Sequence, residues 1–184
     1  GSHFFMPAQL IPLVEVSRGA TTSDQTMDRT VALWEACGKK PIRVEQDIPG
    51  YVANRLQAAL MREAIGLWSR KVASAEDIDV AVGMGFGLRS MVSGPMRQRD
   101  LAGLDLHLAI ERELWPEIDS GTEPNQDVIS KVEKGELGLK AGRGFFDWTG
   151  QNPEKVLRAQ NEALVSMMAT TGTWPSAQRT GDDQ

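Results

Sequence analysis

The apolar positions of this chain fall in short extended runs near its start and at helical intervals from about residue 50 onward. LIPLVEV (10–16) is a β-branched-rich run interrupted by Pro12, and it predicts a strand that is buried or at a sheet edge. HFFMP (3–7) reads as the end of an earlier strand followed by a turn-forming proline. Thr22 and Gln25 have the spacing of a capping box. They predict a helix over 23–37, in which Met27, Val31 and Trp34 recur at helical spacing before Gly38 stops it. KPIRVEQD (40–47) predicts a second strand, so the order is strand–helix–strand, the unit of a parallel sheet. Two strands do not make a stable parallel sheet. Further strands are therefore expected outside this chain, with the edges left here disordered, rearranged or joined to a partner.

From Pro49, placed at a first helical turn, the pattern becomes helical to about Lys71. Val52, Leu56, Ala59, Leu60, Ala64 and Leu67 form one stripe, and Ala58, Met61 and Ile65 a second. A helix apolar on two sides is expected to be central and buried. Ser74 and Asp77 predict a cap for a helix over 75–83. GMGFGLRSMVSGP (83–95) is glycine-rich and predicts a loop. Helices are predicted from Met96 to about Gly103, over 105–115 and over 125–138. GRGFFDW (142–148) predicts extended structure, and Asn152-Pro153 opens a last helix to about Thr170. Residues beyond Gly172 read as a frayed tail.

Composition narrows the picture. The 184 residues are 41% hydrophobic with a formal net charge of −5, enough for a real core and without the basic stripe that nucleic-acid binding needs. The lone Cys37 excludes an internal disulfide and fits a reducing, cytoplasmic setting. No apolar run is long enough for a membrane helix, and no signal peptide is expected ahead of the fold. Gly1 and Ser2 read as vector-derived, and His3 is open to the same reading. Two histidines and one cysteine are too few and too scattered for a metal site.

HFFMP…LIPLVEV, IPGYVANRL, ASAEDIDVAVGMGFG, SGP…DLAGLD and GELGLKAGRGFFDW, in this order over residues 3–148, resemble the 3-hydroxyacyl-CoA dehydrogenase family. The resemblance implies a mainly α fold. Residues 1–47 would be the remnant of an α/β (Rossmann) dinucleotide-binding domain. Residues 48–150 would be a helical substrate and dimerisation domain of the 6-phosphogluconate dehydrogenase C-terminal-like type, and 151–184 an extra helix and tail. It implies NAD as cofactor for the longer protein. No G-x-G-x-x-G follows a strand here, because Gly83, Gly85 and Gly87 follow a helix. These 184 residues are therefore expected to be a portion of the enzyme, inactive alone.

The resemblance also assigns roles. Oxidising a 3-hydroxyl needs a base that titrates near neutral pH, and an imidazole suits it. His3 is implied as that base and Glu15 as the carboxylate that orients it. The other readings are a terminal histidine without a role and a strand-end surface carboxylate. Asn54 is implied near the substrate; the alternative is a structural bridge between helix and loop. Met6 departs from the family's asparagine at this place. A thioether cannot donate a hydrogen bond, which puts the substrate in question. The loop GFGLRSMVSGP (85–95) resembles that of relatives that oxidise free hydroxy acids such as gulonate or carnitine, and Arg89 there can meet a carboxylate or stand solvated. His107 reads as structural, and Trp34, Trp68 and Trp115 as core or interface. The implied reaction is 3-hydroxyacyl-CoA to 3-ketoacyl-CoA, as in fatty acid β-oxidation. The rivals are a dehydrogenase of a free β-hydroxy acid and a helical dimerisation module without activity. A homodimer through residues 49–115 is expected, with no nucleic-acid or membrane partner.

Overall fold

A computed structural model of the protein describes residues 1–171. It divides into two units after Arg62. The predicted tail beyond Gly172 lies outside the described residues.

The first unit holds a three-stranded sheet in the order β1-β2-β3. The strands are β1 (Ser2–Phe4), β2 (Leu13–Ser17) and β3 (Lys40–Val44), with helix α1 (Asp24–Ala36) between the last two. β2 and β3 run parallel, as the strand–helix–strand order requires. β1 supplies a neighbour that the sequence only hinted at, and it runs antiparallel to β2 in the register Ser2↔Val16, His3↔Glu15, Phe4↔Val14. Of the alternatives expected for the strand edges, disordered, rearranged or joined to a partner, disorder is set aside: Ser2–Phe4 adds a third strand and makes β2 central.

Side-chain alternation along β2 then does the sorting. Val14 and Val16 share one face and pack on Met27 and Val31 of α1, while Glu15 is left on the opposite face. Phe4 and Ser2 lie opposite the two valines, so they too meet α1. The Phe4 ring meets Trp34 edge-on at 5.0 Å, and the Trp34 indole Nε1–H donates to Ser2 Oγ at 2.9 Å. Ser2, read as vector-derived, thus stands in a paired strand and accepts a hydrogen bond.

Two local readings shift. α1 is capped by Ser23, whose Oγ accepts the Thr26 N–H at 3.2 Å, not by Thr22. Thr22 is spent one step earlier, where its Oγ1 accepts the Gly19 N–H at 3.1 Å and closes the turn after β2. β2 begins at Leu13 because the amides of Leu10 and Ile11 both donate to the Pro7 carbonyl, which makes that stretch a turn.

Helix α2 (Ala53–Ser69) crosses the division between the units. It starts four residues after Pro49, which sits in a turn instead of in the helix. The expectation that α2 is buried fails: Gly66 is its only buried residue, and Leu56 is 60% exposed. Of its second stripe, Ala58 and Met61 are exposed and Ile65 is half-buried.

The second unit continues through α3 (Ala75–Val80), α4 (Leu88–Ser90), α5 (Pro95–Ala102), α6 (Leu104–Leu114), α7 (Gln126–Glu133) and α8 (Pro153–Thr171). The predicted glycine loop is instead largely helical. The stretch Ala81–Gly87 joins α3 to α4 as helical turns broken by a kink at Gly85 (φ −84°, ψ −106°). Glycine is required at Gly87, where an added Cβ would meet the Val82 carbonyl oxygen at 2.5 Å. GRGFFDW forms bridged turns, not a strand, pairing Gly138 with Arg143 and Arg143 with Asp147. Lys131 on α7 ties it down by donating to Glu136 Oε2 (2.8 Å) and the Gly144 carbonyl (2.9 Å), with Phe145 edge-on to Trp68. Trp115 is 62% exposed, so it is not core.

Candidate active site around His3 and Glu15

The β1–β2 register sets His3 directly opposite Glu15 on the face of the sheet turned away from α1. His3 Nδ1 lies 2.7 Å from Glu15 Oε2. Glu15 is fully buried, at 0% exposure, whereas the His3 side chain keeps 32%. A buried carboxylate needs its other lone pairs satisfied. The start of α2 satisfies them: Glu15 Oε1 accepts the N–H groups of Val52 and Ala53, both at 2.9 Å. These are unpaired donors of a helix N-terminus, where a negative charge is favoured.

Burial pushes the Glu15 carboxyl up, but the Ala53 N–H, the His3 ring and the Val52 N–H outweigh it and hold the group below its ordinary value. A carboxylate kept ionised at Nδ1 selects the imidazole tautomer with its proton on that nitrogen. Nε2 is then the lone-pair nitrogen, able to take a proton from a hydroxyl within hydrogen-bond reach.

A third group was not foreseen from the sequence. The Tyr51 ring stacks on His3 with centroids 5.1 Å apart and planes at 27°. Tyr51 belongs to the turn Pro49–Val52 that leads into α2, and its backbone is left-handed at φ 48°. The only sequence signal was the PGY triplet itself, a turn composition that does not say where the ring goes.

The remaining candidates are placed less tightly. Asn54 stands next to Ala53 in the first turn of α2, is exposed, and thus follows directly on the amides that hold Glu15. Met6 is 74% exposed in the turn after β1, three residues from His3. Arg89 is exposed on α4 in the second unit. His107 is half-buried on α6, and its Nε2 meets no protein partner among the described residues. Among those residues no cluster of His, Cys, Asp and Glu can hold a metal ion. No helix there is long and apolar enough to cross a membrane.

The residues do not fit a dinucleotide pyrophosphate. β2 passes to α1 through Arg18–Ser23 with a single glycine, Gly19, where such a cradle needs a glycine-rich turn running straight into the helix.

Comparison with known proteins adds an independent line. Residues 50–148 match the family described as 3-hydroxyacyl-CoA dehydrogenase, C-terminal domain, and residues 1–48 match its NAD binding domain. A 5-formyl-3-hydroxy-2-methylpyridine 4-carboxylate 5-dehydrogenase of Mesorhizobium japonicum is 34% identical over 92% of this chain and 54% of its own length. A 3-hydroxybutyryl-CoA dehydrogenase of Clostridioides difficile is 36% identical over 80% of this chain and 52% of its own. The human mitochondrial hydroxyacyl-coenzyme A dehydrogenase is 36% identical over 80% and 46%. The chain thus spans about half the length of these relatives. Among solved structures, a 5-formyl-3-hydroxy-2-methylpyridine 4-carboxylic acid 5-dehydrogenase, an NAD+-dependent dismutase, aligns with TM-score 0.88 at 32% identity over 93% of this chain and 55% of that one. A (S)-3-hydroxybutyryl-CoA dehydrogenase from Ralstonia eutropha aligns with TM-score 0.57 at 36% identity over 81% and 52%.

Proposed function

The chain belongs to the 3-hydroxyacyl-CoA dehydrogenase family, and on that premise we propose that it carries the proton-transfer half of an NAD-dependent dehydrogenase acting on a 3-hydroxyacyl-CoA. The observation that supports this most is the 2.7 Å His3–Glu15 pair, with the carboxylate held by two helix-terminal amides. Turning a hydroxyl into a carbonyl removes a proton and a hydride. His3 Nε2 takes the proton, and the imidazolium that forms faces an ionised carboxylate across Nδ1. Glu15 is a positioning residue in this scheme: it touches the base and not the substrate. Asn54, one residue beyond the Glu15-binding amides, is assigned the role of donor to the substrate oxygen. The pyrophosphate-binding turn is not among the described residues, so the hydride half is left to the rest of the enzyme. Residues 1–47 are assigned to the end of the dinucleotide-binding domain and 48–150 to a helical domain of the 6-phosphogluconate dehydrogenase C-terminal-like type, followed by α8. A homodimer through the helices of residues 49–115 and a cytoplasmic location, which suits the exposed Cys37 thiol, complete the reading.

A second reading has an observation of its own. The pyridine carboxylate dehydrogenase aligns over more of this chain, and with a higher TM-score, than the CoA enzyme does. Met6 likewise lacks a donor for an acyl-CoA oxygen. On this reading the substrate is a compact free acid, with Arg89 as the carboxylate's partner. Turnover assays of the longer dehydrogenase that contains these residues, with acetoacetyl-CoA and NADH against a panel of free hydroxy acids and NAD, separate the two. Activity with the thioester alone supports the first, activity with a free carboxylate alone supports the second, and activity with neither overturns both.

A further inference from the structure

Glu15 grips His3 at one nitrogen, and a single hydrogen bond does not orient a ring. The imidazole can still tilt about the Cβ–Cγ bond within the tolerance of that hydrogen bond, because the outer torsion of a histidine side chain is broad. In this site the Tyr51 ring is stacked on the imidazole face at 5.1 Å and 27°. The ring is brought there by an uncommon piece of backbone. Gly50 (φ 80°) and Tyr51 (φ 48°) are consecutive left-handed residues, and the Tyr51 N–H donates to the Ile48 carbonyl at 3.1 Å. Glycine takes this region freely, but a tyrosine there persists only when its surroundings demand it. The next two amides, Val52 and Ala53, are the ones that bind Glu15. One turn therefore holds the carboxylate through its backbone and the imidazole through its ring.

We infer that Tyr51 is a positioning residue for the His3 base, fixing the plane of the imidazole so that Nε2 presents its lone pair in one direction. The catalytic part of this inference rests on the reading of His3 as the base; the geometric part does not. Two measurements keep them apart. The first is proton NMR of the 184-residue chain, whose two histidines, His3 and His107, are told apart with His107→Gln. An aromatic face over the ring shifts the His3 carbon-bound protons upfield. That shift is expected to survive in Tyr51→Phe and to vanish in Tyr51→Gly, which removes the ring while relieving the backbone. Should Tyr51→Gly lose the Val52 and Ala53 amide signals, Tyr51→Asn, which tolerates the left-handed region, takes its place. Unchanged His3 resonances in the ringless variant overturn the inference. The second is kinetics of the longer dehydrogenase. Tyr51→Gly is expected to lower kcat about tenfold or more with KM little changed, as loss of orientation does, and Tyr51→Phe to stay near wild type. A kcat equal to wild type in Tyr51→Gly also overturns it. An NMR shift that behaves as expected beside an enzyme with no dehydrogenase activity would instead count against the assignment of the base.

Discussion

At the scale of single residues the molecule turns on Glu15, whose two oxygens face different structures. Oε2 meets the imidazole and Oε1 meets the start of α2. Glu15→Gln keeps the size and one acceptor but removes the charge and can present its amide to Nδ1, which favours the wrong tautomer. In the longer dehydrogenase it is expected to lower kcat by about 10²-fold or more with a far smaller change in KM; wild-type turnover would remove Glu15 from the mechanism. Stability carries a matching signature. The Glu15 carboxyl titrates below its ordinary value of 4.5 in the folded chain. In the window between the two values the unfolded chain binds more protons than the folded one, so folding is favoured as pH rises through it. The contribution is complete above that window and is lost as pH falls through the folded value. Urea unfolding at about pH 7 and at about pH 3.5 should therefore show the wild type losing more stability on acidification than Glu15→Gln does. Equal losses would mean that the carboxylate is not held as described.

At the scale of elements, capping decides where α1 begins. Ser23→Ala removes the acceptor of the Thr26 amide and should cost about 1 kcal/mol by urea denaturation. Thr22→Ala should leave the helix capped and disturb only the turn at Gly19. If the alanine at 22 cost the helix more by circular dichroism, the capping box read from Thr22 and Gln25 would be restored. The glycine-rich stretch also belongs to this scale. Glycine composition read as loop, but the glycines serve instead to kink a helical path, with the break at Gly85 between Ala81 and Gly87.

At the scale of the whole molecule, the described helices leave much apolar surface in water: Leu56 and Met61 on α2, Leu104, Leu106, Leu108 and Leu114 on α6. Surface of this kind marks an interaction site. We expect a symmetric homodimer through residues 49–115, tested by light scattering at tens of micromolar (about the range where a weak dimer still forms), and a monomer there would count against it. Among the described residues no glycine-rich turn leads from a strand into a helix as a pyrophosphate cradle needs, so titration calorimetry of the 184 residues with NADH is expected to give no saturable heat. Saturable micromolar binding would show that the cofactor is held by residues other than a glycine-rich turn.

The sequence by itself determined which segments fold and to which family they belong. A β-branched-rich apolar run placed β2, helical spacing placed α1 and α2, and the ordered segments from HFFMP to GRGFFDW carried the resemblance that paired His3 with Glu15. These are local or linear signals, and they survive without coordinates. What the tertiary structure decided depends on residues far apart in the chain. A third strand closes the sheet edge, and its register sets His3 against Glu15. The amides that hold the carboxylate come 37 and 38 residues later. The Tyr51 ring reaches His3 only because two left-handed residues turn the chain there. α2 is apolar on two sides in sequence yet only half-covered among the described residues, because spacing shows that a face wants cover and says nothing of whether this chain supplies it.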